Sequence, residues 1–286
     1  MLAVRVGWLG LPLVLARPVE SAVDGAGSGG RWVVGIGLWV AWTVGVVVIF
    51  VPRPLTLTVL RVLAPGAVPV AVWASLAGDP SPLALAWSAA LAVGVFFPQV
   101  GEHFVDGASY GDERRFPLRA PVVLLAGPVP IVWALVVCGL AAGPLLWGTG
   151  RWVLGAGLTV VGAAVAIGGI RALHGLALRW VVMVPAGLVV HDPMSTLDPF
   201  LCRRTAMTSL GPAPADTDVA DDLTLDATRG AAGPVIEVRM AEPVSVVPLR
   251  GRATRLAARS VIRVLIAPTR PGRVLAEAGQ RRIPVG

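Results

Sequence analysis

Gly107-Ala108-Ser109-Tyr110-Gly111 has the G-x-S-x-G spacing of a serine nucleophile. That pattern works as an elbow only where a buried strand precedes the serine and a helix comes after it. Here the flanks are VGEHFVD and DERRFPLR, both polar, so the stretch reads as a glycine-rich turn. The same segment holds Glu102, His103, Asp106, Asp112 and Glu113. Carboxylates suit a hard cation and an imidazole suits a transition metal. No recognised ligand spacing joins them, so ion pairs with Arg114 and Arg115 are expected and no metal is assigned. The Glu102–Arg119 loop is still the candidate functional loop of this half of the chain, because about 23 residues between apolar runs is long for compact helices.

A second group is cationic. Arg250, Arg252, Arg255, Arg259 and Arg263 form the densest basic stretch, and no acid occurs between Glu242 and Glu277. Beside an anionic leaflet each such charge is worth about 1 kcal/mol. These five residues are therefore the candidate site for lipid headgroups or a protein partner. The stretch lacks the interleaved aromatics that stack on bases, which argues against nucleic acid. Arg61 is the one strong charge inside the central apolar runs. An ion at that depth marks a site by default, but its place near the run's start favours snorkelling to the headgroups. His174 and His191 read as structural. No paired nucleophile and base stand at a recognisable spacing, so neither an enzyme nor a cofactor is expected.

The elements around these groups follow from composition. Of the residues 55% are hydrophobic and 14% charged, against about 25% charged in a soluble domain. All 24 basic residues are Arg, each a permanent planar fork. Residues 1–170 carry nine Arg and seven acids, and residues 171–286 carry fifteen and ten. Trp32–Val51 is twenty residues without a charge, and about twenty helical residues cross the hydrocarbon layer.

Four further runs come after it: Leu55–Ala77, Pro82–Phe97, Pro121–Trp147 and Trp152–Ile170. Pro65-Gly66 should kink the second run of the five, and Pro128 and Pro130 should break the fourth. The small residues of GAGLTVVGAAVAIGG in the last run allow close helix approach. Leu2–Ala16 is apolar but short and contains Arg5 and Pro12. It reads as a short helix, spanning or half-inserted, rather than a signal peptide, and Ser21–Arg31 as a flexible connector. Cys138 falls in an apolar run and Cys202 in the polar tail, so no disulfide is expected.

After Arg171 the pattern turns β-rich. LRWVVMV, the turn PAG and LVVHD read as a hairpin. PVIEVRM, VSVVPL and SVIRVLIAP read as further strands. Pro271 opens a short helix over Gly272–Arg281. Residues 1–171 are thus expected as a bundle of five to six transmembrane helices, and residues 172–286 as a small β-rich domain with a C-terminal helix. With the tail inside, Arg53, Arg114, Arg115, Arg119 and Arg171 lie inside and Arg17, Arg31 and Arg151 outside, which the positive-inside rule favours. Six spans would put the N-terminus inside, and five would put it outside.

RWVVMVPAGLVVHD (Arg179–Asp192) and VLIAPTRPGRVLAEAGQRR (Val264–Arg282) resemble the opening hairpin and closing strand, turn and helix of bacterial pleckstrin-homology-like domains. The resemblance covers roughly 110 residues, and Ala206–Asp226 departs from it. The layout as a whole resembles uncharacterised multi-pass membrane proteins of GC-rich bacteria. A pleckstrin-homology-like fold would imply lipid or protein binding, though a fold does not fix a function. The expected location is a bacterial plasma membrane, with the C-terminal domain placed in the cytoplasm by the Arg distribution. The expected function is a membrane anchor for a binding module whose partners are the bilayer, anionic headgroups or a membrane protein. The alternatives are a small transporter or channel, and an intramembrane enzyme using the 102–119 loop.

Overall fold

In a computed structural model the chain divides into two units, Met1–Phe104 with Val129–His174, and Val105–Pro128 with Gly175–Gly286. The structure describes all residues except 215–216, 218–220 and 250–256.

The first unit is helical. Its elements are α1 (Leu2–Leu9), α2 (Leu11–Val23), α3 (Ser28–Phe50), α4 (Pro54–Ala77), α5 (Pro82–Gly94), α6 (Pro98–Asp106), which runs to the unit's edge, α8 (Pro128–Gly148) and α9 (Trp152–Ala177). The short α7 (Val122–Ala126) lies in the second unit. Among the described residues, five helical stretches are long and apolar enough to cross a membrane: Leu2–Val23, Ser28–Phe50, Pro54–Ala77, Pro128–Gly148 and Trp152–Ala177. The pair α5–α6, bent by 56°, makes a sixth if taken as one span. Their apolar side chains are largely exposed, as expected of surfaces solvated by lipid. Val153 is 87% exposed and Leu76 84%.

Two expectations are revised here. The first apolar segment extends to Val23 rather than stopping near Ala16, because α2 continues through Pro18. The connector is correspondingly short, since α3 begins at Ser28. The run after Pro121 is divided at Gly127–Pro128, which separates α7 from α8 as the prolines led one to expect, and α4 carries Pro65 and Pro69 within one helix.

Several tryptophan indoles between these helices reach across to a neighbour's backbone. Trp8 and Trp42 each donate an indole N–H to the other's carbonyl, at 2.9 and 3.2 Å. Trp87 donates to Gly7 at 2.8 Å and Trp133 to Val62 at 3.0 Å. In a medium without water such bonds have no competitor. Glycines set the spacing of α8 and α9. A methyl group on Gly162 would collide with the Gly139 carbonyl oxygen, and one on Gly143 with Thr159.

Helix ends meet in a consistent order. Gly78, after α4, packs on Ser21 and Ala22 of α2. Gly148, ending α8, packs on Gly29 and Gly30 at the start of α3. Thr58 near the start of α4 lies 3.0 Å from His174 near the end of α9.

The second unit holds two four-stranded sheets around one core. The strands are β1 (Arg114–Pro117), β2 (Trp180–Val184), β3 (Gly187–His191), β4 (Phe200–Arg203), β5 (Met207–Pro212), β6 (Thr224–Asp226), β7 (Ile236–Val246) and β8 (Arg259–Ile266), and the helix α10 (Pro271–Gln280) comes after them. One sheet has the order β1-β2-β3-β4 and is antiparallel; the other has the order β5-β7-β8-β6, with β6 parallel to β8. Alternation builds the core. Leu188 and Val190 point inward from β3, Ile236, Val238 and Met240 from β7, and Val274 and Ala278 from α10. The separate strands expected at PVIEVRM and VSVVPL are a single strand, β7, with a register shift between Arg239 and Val244. The strand β1 comes from the segment between apolar runs and pairs with β2, Arg114 opposite Met183 and Pro117 opposite Trp180. Residues 105–128 therefore belong to the β unit, which is not built from residues 172–286 alone.

Candidate functional site

The segment singled out by sequence is a helix, a turn and an edge strand. Glu102 and His103 lie on α6, and the Asp106 carboxylate at its end organises the turn into β1. Its Oδ1 accepts from the Ser109 hydroxyl at 2.9 Å and from the Arg115 backbone N–H at 3.0 Å, and its Oδ2 pairs with Arg114 at 3.2 Å. Glu113 pairs with Arg115 at 3.2 Å, and the Asp112 carbonyl accepts from Arg281. Ser109 thus comes after a helix and before a strand, the reverse of a nucleophile elbow. Among the described residues no three His, Cys, Asp or Glu side chains gather as metal ligands. What these groups do together is hold β1 at the sheet edge.

Arg250, Arg252 and Arg255 of the basic stretch lie outside the described residues. Arg259 and Arg263 are placed, and tertiary structure gives them the acids that the local sequence lacks. Arg259 pairs with Asp222 at 3.1 Å and donates to the Asp221 and Asp222 carbonyls. Arg263 lies 3.7 Å from Glu237, which also pairs with Arg239 at 2.9 Å. The Leu223 N–H, then the Thr224 hydroxyl and the two arginines, hold the Asp221 carboxyl below its ordinary value.

Sequence reasoning missed a buried ion pair at the root of the first hairpin. Register continues from Trp180 opposite His191 to Arg179 and Asp192. Arg179 Nε and Nη2 donate to Asp192 Oδ1 and Oδ2, both at 2.8 Å, and neither side chain is exposed. The remaining donors reach the Arg119 carbonyl at 2.8 Å and the Ala227 carbonyl at 2.9 Å. Asp192 also accepts from the Ser195 hydroxyl at 2.6 Å and the Met194 N–H at 3.1 Å. One guanidinium so ties together the chain after β1, after β3 and after β6. A signal was present: Arg179 and Asp192 are equidistant from the turn.

A cavity of about 540 Å³ in the same unit is lined by Leu124, Ser195, Thr224, Asp226, Arg229 and Leu249, among others. Several of its polar groups are turned to structural partners. Asp226 accepts from the Thr228 N–H at 2.8 Å and hydroxyl at 2.6 Å, Thr224 donates to Asp221 at 3.2 Å, and Ser195 donates to Asp192. Cys202 is buried and its thiol is pushed up to about 12 by desolvation, which keeps it unreactive.

No family model, curated protein or solved structure matches this chain.

Proposed function

We propose that the protein is a six-span plasma-membrane protein that carries a non-enzymatic cytoplasmic binding module. The single observation behind this reading is the β1–β2 pairing. It builds the β unit from two separate excursions of the chain, one between α6 and α7 and one after α9. Only Leu178 and Arg179 separate α9 from β2. A module interleaved with membrane helices in this way works at the membrane.

The same pairing supports the span count. Helices α8 and α9 leave from and return to one side, because β1 and β2 share a sheet. His174 near the end of α9 bonds to Thr58 near the start of α4, so α4 starts on that side and ends on the other. The chain must then cross back through α5–α6 to reach β1. Counting backward, Ser28 and Val23 lie on the far side and Met1 lies with the tail. Arg53, Arg114, Arg115, Arg119 and Arg171 share the tail's side, which favours a cytoplasmic tail in a bacterium.

The opening hairpin β2–β3 and the closing β8–α10 support the pleckstrin-homology-like reading; the parallel β6–β8 pair and the inserted β1 depart from it. For the ligand, the sequence charge at Arg250, Arg252 and Arg255 favours anionic lipid headgroups. Arg259 and Arg263 contribute less, being already paired. Hydrogen exchange of the full chain in nanodiscs tests this. Residues around 250–256 should exchange more slowly in phosphatidylglycerol than in phosphatidylcholine, and salt or Arg252→Gln/Arg255→Gln should remove the difference. Equal exchange in both lipids would leave a protein partner as the better reading.

A further inference from the structure

Arg61 sits on α4, seven residues from Pro54, which is about 10 Å along the axis. Its Nε is buried without a hydrogen-bond partner, and no carboxylate pairs with it among the described residues. The guanidinium carbon lies 5.5 Å from the centre of the Phe96 ring, at the end of α5. Phe96 itself is 53% exposed on the surface of the helical unit. Asp79 is the sole acid between Asp24 and Glu102, and it lies beyond the opposite end of α4. That is eighteen residues away, about 27 Å. An unneutralised cation is costly at this depth, and such residues find partners or mark sites. Helical Cα–Cβ bonds tilt toward the N-terminus, so this side chain leans toward the near interface, where lipid phosphates lie.

We infer that Arg61, seated on the Phe96 ring, binds the phosphate of a phospholipid from the leaflet at the Pro54 end of α4. The ring covers one face of the guanidinium, and the fork's edge remains for a phosphate oxyanion, which a planar fork can grip with two parallel bonds. This site is separate from the basic stretch of the tail and rests on α4 being a membrane span.

The test is a thermal-unfolding titration of the full chain in dodecyl maltoside. It uses an Arg252→Gln/Arg255→Gln background, so that the tail's proposed lipid contact does not contribute. The background protein should be stabilised by phosphatidylglycerol, and adding Arg61→Gln should raise the half-saturating lipid concentration roughly tenfold. Arg61→Lys should fall between the two. Phe96→Leu should weaken binding about threefold while leaving every charge in place, and it decides the matter if Arg61→Gln does not fold. An unchanged half-saturation in Arg61→Gln, or in Phe96→Leu where that variant decides, would overturn the site. Equal stabilisation by an uncharged glycolipid would overturn it too, since acyl chains alone would then suffice. Saturation by inorganic phosphate in the same range would assign a free anion and overturn the lipid source.

Discussion

Arg179 and Asp192 face each other across the root of the β2–β3 hairpin as a doubly hydrogen-bonded ion pair, with both bonds at 2.8 Å and both side chains fully buried. Loss of one partner strands a buried charge and costs about 3–5 kcal/mol. Arg179→Gln and Asp192→Asn should therefore each make the β unit markedly more sensitive to protease in native membranes. The pair of changes Arg179→Met with Asp192→Leu should recover much of that loss, as well-packed apolar replacements do. Proteolysis rates of the three variants measure it, and single variants as resistant as the parent would contradict the buried pair.

Sidedness is open to labelling. In a background with Cys138 and Cys202 replaced, Ser109→Cys and a cysteine added after Gly286 should react from the same side with an impermeant thiol reagent. Gly150→Cys, in the turn between α8 and α9, should react from the other. Opposite labelling of Ser109→Cys and the C-terminal cysteine would be incompatible with the β1–β2 pairing.

Helix spacing gives a sharper contrast. Gly162→Val should destabilise the α8–α9 hairpin by about 1–3 kcal/mol through overpacking on Gly139. Gly157 and Gly168, on the same helix, have open space where a side chain would begin. Their replacement by Ala should be neutral or slightly stabilising. Melting temperatures of the detergent-solubilised variants separate these outcomes.

Cys202 supplies a pH dependence. An ordinary thiol ionises near about 8.5, whereas here burial pushes the group up to about 12. Between those values the folded unit keeps a proton that the unfolded chain has lost. The stability from this group is complete below the lower value and is lost as pH rises toward the upper one. At pH 8, alkylation of Cys202 should require unfolding. Mass spectrometry after a short iodoacetamide pulse, with and without denaturant, reads this directly.

The end of α10 carries a residue in the wrong backbone region for its side chain. Ile283 N–H bonds to the Ala278 carbonyl at 3.0 Å and Arg282 N–H to Gly279 at 3.1 Å, the Schellman pattern, with Arg282 at φ 57°. A left-handed conformation costs a non-glycine residue about 1 kcal/mol or slightly more. Arg282→Gly should stabilise the β unit by about 1 kcal/mol in denaturant melts, whereas Arg282→Val should destabilise it.

What the sequence determined by itself is whatever depends on local periodicity. Uncharged runs of about twenty residues specify membrane-length helices because hydrocarbon thickness sets their length. Alternating apolar residues around the Pro185–Gly187 turn specify β2 and β3, and Pro271 marks the first turn of α10. Tertiary structure alone decided which distant segments meet. Arg114–Pro117 is four residues of ordinary composition, and becomes a strand because β2 offers it an open edge. The strands β5 and β6 likewise gain their bonds from partners far along the chain. Arg259 and Arg263 look like free cations in a stretch without acids, until β7 and the turn before β6 bring Glu237 and Asp222 to them. Charge pairing depends on distance through space, which a linear sequence does not record, while helix length and strand alternation depend on neighbours it records directly.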